Sequence, residues 1–352
     1  MKVIRISVLI ANIIAALLLL LCYFSPYFDP EYYWPFGILG LIFPFLIMLN
    51  LLFVLFWIFF RLKYSLISLI IILVGWNSFR GVIGLNLPEE KQDTSNSFRV
   101  MSYNIRALSK LKTYPTKNFK ENQEKLNFYL RENTVADVLC LQETTKPNVT
   151  FFENELGYDY FIRYPGYNSR TCILSKFPII HDGTISFDHG YGDAVWADIE
   201  IVDTIIRFYS VHLHSNTISL DADNLLSQSE IQTQQALKGA RGMFTKYRFA
   251  TRIRYEQAKK LKKHIDSSPY PVVLCGDFND TPQSYVYHVL NQNLKDTFKE
   301  RGIGFGTTWA GSLPGLKIDY ILCSNSFLTI NHQILRRPFS DHYPIISTLK
   351  FE

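Results

Sequence analysis

Charge is nearly missing from the first quarter of this chain. Residues 1–87 hold five basic side chains (Lys2, Arg5, Arg61, Lys63, Arg80) and two acidic ones (Asp29, Glu31). The stretches 6–24, 34–60 and 64–79 hold none, over 19, 27 and 16 residues. Cysteine is scarce as well. Five in 352 residues exclude a disulfide framework, and Cys140, Cys172, Cys275 and Cys323 lie in apolar, strand-like runs where a thiol reads as a small buried hydrophobe. No repeat of fixed period is present, and a hydrophobic content of 48% excludes disorder as the main state. A strong charge of one sign is also lacking: residues 88–352 carry 31 basic and 29 acidic residues, which is no polyanion-binding signature.

The uncharged runs are the first positive feature. A bilayer core takes ~20 helical residues, so 6–24 and 34–60 are each expected to span. The first is longer than a signal-peptide core and has no small-residue cleavage site before Tyr23 and Phe24, so it reads as a retained anchor. The third, 64–80 with Arg80 as its stop, is shorter and spans with help from 82–87. A soluble helical hairpin is the bland alternative, but a 27-residue uncharged run exceeds ordinary core helices. Lys2 and Arg5 flank the first run; Arg61 and Lys63 separate the second from the third. The positive-inside rule places both groups in the cytoplasm, and a third crossing delivers residues 88–352 to the extracytoplasmic side. The expectation is a multi-pass cell-membrane protein: an anchor at 1–87 with the bilayer as partner, a polar linker at 88–97, and a large domain at 98–352. Failure of the third run to cross would leave that domain cytoplasmic.

From Phe98 onward, short β-rich runs alternate with polar segments: 98–103, 138–141, 171–174, 195–202, 205–213, 272–275, 318–323 and 345–349. Helical patterns lie at 119–132, with Leu126 and Leu130 spaced i, i+4, and at 252–265. Two packed sheets flanked by helices, an α+β layered domain, follow from that pattern. Asn104, Glu143, His212, Asp277, Asn279, Asp319, Asp341 and His342 all sit at or just past the end of an apolar run. Strand ends are rigid mounts, and these side chains are those of a metal-and-phosphate site.

Each motif also has an ordinary reading. In VVLCGDFND, Asp277 and Asn279 emerge two residues apart after Gly276; the carboxylate can hold or deprotonate a nucleophile and the amide can donate to a phosphate oxygen, but Asp and Asn are also common turn residues. In VLCLQET, Glu143 is a hard-oxygen donor suited to Mg2+ or Mn2+, or a solvated strand end. In SDHY, Asp341 offers an oxygen ligand and His342 a group titrating near neutrality, while Asp319 in KIDYIL can fix the imidazole tautomer; a lone Asp-His dipeptide would be unremarked surface. In YSVHLHS, His212 and His214 have strand spacing and face one side, suited to phosphate contact or to a two-His metal site. In VMSYNIR, Asn104 alone is turn chemistry.

Five such motifs in one order, each at a strand end, carry more weight than any one. Through SYNIR, LQET, VHLHS, GDFND, KIDYIL and SDHYP the chain resembles the endonuclease/exonuclease/phosphatase superfamily over residues 98–352. The resemblance implies a four-layer α/β/β/α sandwich with the site at one edge of two mostly antiparallel sheets. It implies that Asn104 and Glu143 bind the metal, Mg2+ or Mn2+, with Asp341 a further ligand. It makes Asp277 the carboxylate that positions or deprotonates the attacking water, with Asn279 on the phosphate. It makes Asp319 and His342 the orienting acid and the imidazole facing the scissile phosphate, and His212 a phosphate contact or general acid; His214 has no such match.

Substrate choice lives in loops rather than in the fold. After His214, residues 215–250 are polar and carry no clear strand, and 238–263 hold ten Lys/Arg against one acid, Glu256, with Phe244, Tyr247, Phe249 and Tyr255 interleaved. That stretch suits a nucleic-acid track or anionic headgroups, or is a solvated helix face. Three readings stand: a nuclease, a phosphodiesterase or phosphatase acting on phospholipid or a small phosphoester, and a catalytically silent membrane-tethered binding module. Intact polar positions in every motif argue against the last.

Overall fold

The computed structural model describes residues 2–86, 94–112, 116–133, 136–166, 170–188, 192–215, 233–311, 315–337 and 339–352, the side chains of 2, 133 and 233–241 excepted. Most of the expected linker, 88–93, and the centre of the expected long loop, 216–232, lie outside the described residues.

The chain opens with helices α1 (Lys2–Cys22), α2 (Pro30–Phe60), α3 (Leu62–Val74) and α4 (Trp76–Arg80), then strand β1 (Ile83–Leu85). Next come β2 (Ser97–Asn104), α5 (Phe119–Asn133), β3 (Val138–Thr144), α6 (Lys146–Leu156), β4 (Tyr160–Arg163) and β5 (Arg170–Ser175). Strands β6 (Ile179–Ile185), β7 (Asp193–Ile201) and β8 (Thr204–His212) precede helix α7 (Thr233–Asp266). The chain closes with β9 (Val272–Asp277), α8 (Tyr285–Leu290), β10 (Leu294–Asp296), α9 (Thr297–Arg301), β11 (Ile303–Phe305), β12 (Asp319–Ser324), β13 (Phe327–Ile334) and β14 (Ile345–Phe351).

Two six-stranded sheets form, β13-β14-β2-β3-β5-β4 and β10-β12-β9-β8-β7-β6. Period-two alternation explains how they stack. Odd and even positions of one strand enter different cores: Phe98 and Val100 of β2 face inward, whereas Met101 and Tyr103 face outward. The inner faces share one apolar layer that includes Val100, Cys140, Val195, Phe208, Cys275 and Ile321. Leu126 of α5 and Phe152 of α6 cover the outside of the first sheet; Leu261 of α7 and Leu290 of α8 cover the outside of the second. The domain is therefore the expected α+β, four-layer α/β/β/α sandwich. All five cysteines are buried and unpaired.

Two helices are long and apolar enough to cross a membrane, Val3–Tyr27 and Pro30–Phe60, and only 28% and 33% of their most apolar windows are buried. The third expected span differs from its sequence reading. Residues 64–80 are not one helix: α3 stops at Gly75, where the ring of Tyr23 lies so close that an added Cβ would sit 1.9 Å from it, and α4 follows. A buried chain of polar groups joins the bundle, with Asn12 donating to Ser68 (2.6 Å) and Ser68 to Asn50 (2.7 Å).

These helices dock on the sandwich. Gln283 donates to the Cys22 carbonyl and Thr281 to the Gly40 carbonyl, each at 3.0 Å, and Tyr255 donates to Asp29 at 2.7 Å. Gly40 permits the approach, because a Cβ there would lie 2.5 Å from the Gln283 carbonyl oxygen. Strands β1 and β11 add a small antiparallel pair between the two regions. Helix α7 starts at Thr233, far ahead of the expected 252–265. Its face of Tyr247, Ala250, Ala258 and Leu261 is helical in spacing, but the surrounding lysines and arginines mask that period in the sequence.

Candidate active site

Strand register assembles half of the site. Asp277 on β9 pairs with His212 on β8 and with Asp319 on β12, so three side chains stand abreast on the inner face of the second sheet. Gly276 makes that row possible: at φ +154 its Cβ would fall 2.1 Å from the Val211 carbonyl oxygen. Gly276 lies inside β9 and relieves crowding against β8.

The first sheet contributes Asn104 and Glu143 from the ends of β2 and β3. By alternation, Glu143 would point outward with Leu139 and Leu141. A break in the β3–β5 register between Leu141 and Thr144, with Glu143 at φ +51, turns it inward instead, the ordinary use of a bulge. The Asn104 amide nitrogen then donates to Glu143 Oε1 (3.1 Å) and Asp277 Oδ2 (3.0 Å), joining carboxylates from opposite sheets. Its amide oxygen accepts from the Arg106 N–H at 3.1 Å.

His342 precedes β14, and its Nδ1 lies 2.9 Å from Asp319 Oδ2. The Asp319 N–H is held by the Thr308 hydroxyl at 3.1 Å. Trp309 meets the imidazole edge-on, with centroids 5.0 Å apart. The other imidazole nitrogen, Nε2, points to Asp277 Oδ2 across 3.7 Å, too far for a hydrogen bond. Burial favours the neutral ring, but Asp319 and Asp277 outweigh it and raise His342 to about 10. Burial also pushes the Asp277 carboxyl up, against His342, His212 and the Asn279 N–H and with Asp319, to about 6.

His212 Nε2 is buried without a hydrogen-bond partner among the described residues. It lies 3.7 Å from Glu143 and 3.8 Å from Asp277. Asn279 donates its side-chain amide to the Leu213 carbonyl at 2.9 Å and its backbone N–H to Asp277 Oδ1 at 2.8 Å. Asp341 is turned elsewhere, pairing with Arg106 at 2.8 Å, while neighbouring Ser340 ties to the Asn104 carbonyl at 2.8 Å. His214 lies past the end of β8 and packs its ring on Phe249.

The donors fit a hard divalent cation. The Glu143 carboxylate, one-third exposed, lies 3.7 Å from His212 Nε2 and is joined to Asp277 through Asn104, and the orphaned His212 nitrogen marks a polar space that the protein itself does not fill. Ligand atoms of Asp277, Asp319 and His342 also lie within 4.8 Å of one another. There the imidazole already bonds Asp319 and is held protonated, and a protonated nitrogen cannot ligate.

A family model described as endonuclease/exonuclease/phosphatase matches residues 101–342. The chain belongs to the endonuclease/exonuclease/phosphatase family. Members hydrolyse phosphoester bonds, generally with a divalent metal. The fold is similar to that of a family protein from Bacteroides thetaiotaomicron (18% identity, 73% of this chain and 98% of that one, TM-score 0.56). It is also similar to the B. thetaiotaomicron mannosyl-6-phosphatase (16% identity, 72% and 100%, TM-score 0.54) and to the human Nocturnin catalytic domain (18% identity, 76% and 97%, TM-score 0.53). A model described only as a domain of unknown function matches residues 3–82. No curated protein matches the chain.

Several contributors to this family site carried no sequence signal. Thr308, Trp309 and Arg106 act only through tertiary contact. So does Gln142, which reaches across the sheets to Ser210 at 3.1 Å. Part of the basic, aromatic stretch is occupied: Arg254 is fully buried on Asp280, Arg252 pairs with Glu31, and Tyr247 and Tyr255 are buried, Tyr247 against Gly37 and Tyr255 on Asp29, while Phe244 and Phe249 are exposed.

Proposed function

We propose that this chain is a membrane-anchored phosphoester hydrolase that uses Mg2+ or Mn2+ and in-line attack by water. The observation that carries the reading is the convergence of Asp277 and His342 from opposite sheets, with Glu143 tied to Asp277 through Asn104. Glu143 is the principal metal ligand, with the Asn104 amide holding its carboxylate at 3.1 Å; Asp341 pairs with Arg106 and would ligate only after releasing it. A divalent cation there supplies charge neutralisation and Lewis-acid polarisation of a phosphoryl oxygen.

The chain's own groups do the rest. The Asn279 N–H holds Asp277 Oδ1 and the Asn104 amide holds Oδ2, whose second lone pair positions the attacking water and takes its proton. The Asn279 amide donates to a non-bridging oxygen. Cationic His342, oriented by Asp319, presents Nε2–H to the phosphoryl group as negative charge builds. His212, beside Glu143 and Asp277, is the general acid for the leaving oxygen in this reading.

The anchor geometry supports an extracytoplasmic domain. Tyr23, at the end of α1, donates to the Ile71 carbonyl near the end of α3 at 2.9 Å, so both helices finish on the side where the sandwich docks. Lys2, Arg61 and Lys63 lie at the opposite ends, and basic ends stay cytoplasmic. Commitment of Arg254 to Asp280 inside the sandwich and of Arg252 to Glu31 withdraws both from a nucleic-acid track and favours a lipid or small phosphoester.

The test is parallel hydrolysis by the purified full-length protein of bis(4-nitrophenyl) phosphate, single-stranded DNA and a phospholipid, with and without Mg2+. Metal-dependent turnover of the generic diester supports the reading; strongly salt-sensitive turnover of DNA alone identifies a nuclease; silence on all three favours the binding module.

A further inference from the structure

A cavity of about 660 Å³ lies where the anchor meets the sandwich, within the size range of small-molecule sites. Pro44, Phe45 and Met48 of α2 form one wall, and Trp309, Tyr343 and Arg336 stand on the other. Neither region makes this cavity alone.

Its location is informative in two directions. Helix α2 breaks at Tyr33, and the 27 residues from 34 to 60 make roughly 40 Å of helix at ~1.5 Å per residue, against a hydrocarbon core of about 30 Å. The excess is accounted for at the amino-terminal end, where Gly37 packs on Tyr247 and the Gly40 carbonyl accepts from Thr281. Residues 44–48 therefore occupy the outermost embedded turns, where lipid chains end and headgroups begin. In the other direction the cavity stops one side chain short of the reaction centre. Trp309 lines it and also meets His342 edge-on at 5.0 Å, and the two residues form a backbone bridge.

Among the described residues the lining is mostly apolar, with one cationic side chain, Arg336, against the Tyr343 ring at 5.8 Å. An apolar recess with one cation, open beside a bilayer and abutting a phosphate site, is complementary to an anionic amphiphile. A nucleic-acid strand would leave the α2 wall unused.

We propose that this cavity binds the apolar chain of an amphiphilic phosphoester taken from the bilayer, so that its phosphate reaches Asp277 and His342. The proposal rests on the phosphoester-hydrolase reading above and names its substrate class. Bilayer lipid that merely fills the recess, or a helix of another chain, are the competing occupants.

The experiment uses full-length protein and alkyl 4-nitrophenyl phosphates with butyl, octyl and dodecyl chains, in Mg2+ and in Mn2+. From butyl to dodecyl, KM falls by about tenfold or more, about 1.4 kcal/mol. In Thr307→Trp and Met48→Trp, which fill the recess from its two walls, that gain shrinks toward none. Partition into micelles affects all three proteins alike, so the ratio between wild type and variant isolates the cavity. Butyl ester turned over with no chain-length gain, or with a gain both variants keep, overturns the cavity and leaves the hydrolase reading standing. No turnover of any ester overturns both.

A second measurement does not depend on turnover. Asp277→Asn protein is photolabelled with a diazirine-bearing dodecyl phosphate. Labels at 44–48 or 303–311, displaced by dodecyl phosphate but not by dodecanol, support the proposal. Equal displacement by dodecanol identifies passive lipid and overturns it.

Discussion

Asp277 Oδ2 and His342 Nε2 face each other across 3.7 Å although they come from different sheets. That gap is too long for a hydrogen bond and short enough for both groups to act on one substrate. Neither residue is needed to close the apolar core, which lies below them between the sheets.

Substitution at this pair should separate activity from folding. Asp277→Ala and His342→Ala are each expected to lower kcat by about 10²–10⁴-fold, the usual worth of a positioned acid or base. Thermal unfolding should remain cooperative in both. The double variant should lose far less than the product of the single losses, because groups acting as one unit are not additive; full additivity would mean that the two act separately.

Asp319 acts through His342. In Asp319→Asn the strongest influence holding the imidazole up is removed, so the ring's pKa should fall from about 10, measured by nitrogen NMR. kcat should drop with KM little changed. An unmoved imidazole pKa would reduce Asp319 to a structural role.

Removing the carboxylate of Glu143 should weaken the metal and leave the fold. Glu143→Gln is expected to need at least about tenfold more Mg2+ or Mn2+ for half-maximal turnover, a typical cost for a lost ligand or its close support. An unchanged metal requirement would move the ion to the Asp277, Asp319 and His342 group.

The motifs around these residues were legible because each is local: an apolar run followed by Asp, Asn, Glu or His announces a loaded strand end. What was hidden depends on conformation or on distant chain. Glu143 was recognisable, but not the left-handed backbone that turns it from the outer face to the inner one. Asn104 read as a metal ligand, whereas its amide nitrogen joins Glu143 to Asp277. Asp341 read as a ligand, and its carboxylate is met by Arg106, a partner that no spacing rule points to. Helix α7 is legible only where its helical pattern is plain, at 252–265; nearer its start, Tyr247 is buried against the N-terminal helices, whose docking no local pattern encodes.

His332, away from the site, makes a pH prediction. Burial, reinforced by nearby Lys317 and opposed by Asp296, lowers it to about 3, while Nδ1 lies 2.9 Å from both the Thr297 and Ser347 hydroxyls. Because the folded pKa lies below the unfolded value of about 6.5, this contribution is complete above that pH and is lost as pH falls toward 3. Stability should fall by about 1.4 kcal/mol per pH unit through that window from this group. His332→Gln should flatten the slope in chemical denaturation; an identical slope would assign acid sensitivity to other groups.

Arg254 should matter to folding more than to charge. It is fully buried, with Asp280 at 3.3 Å and the His214 carbonyl at 3.0 Å. Arg254→Ala leaves a buried carboxylate uncompensated, at an expected cost of about 3–5 kcal/mol, readable by denaturant unfolding. A loss below about 1 kcal/mol, the range of an exposed ion pair, would contradict that placement.

The most direct measurement is turnover of bis(4-nitrophenyl) phosphate by the full-length protein with Mg2+, after chelation, and after Mg2+ is restored, wild type beside Asp277→Ala. The account predicts hydrolysis that chelation abolishes, Mg2+ recovers, and the variant lacks throughout. Hydrolysis that persists both without metal and without the Asp277 carboxylate would contradict it.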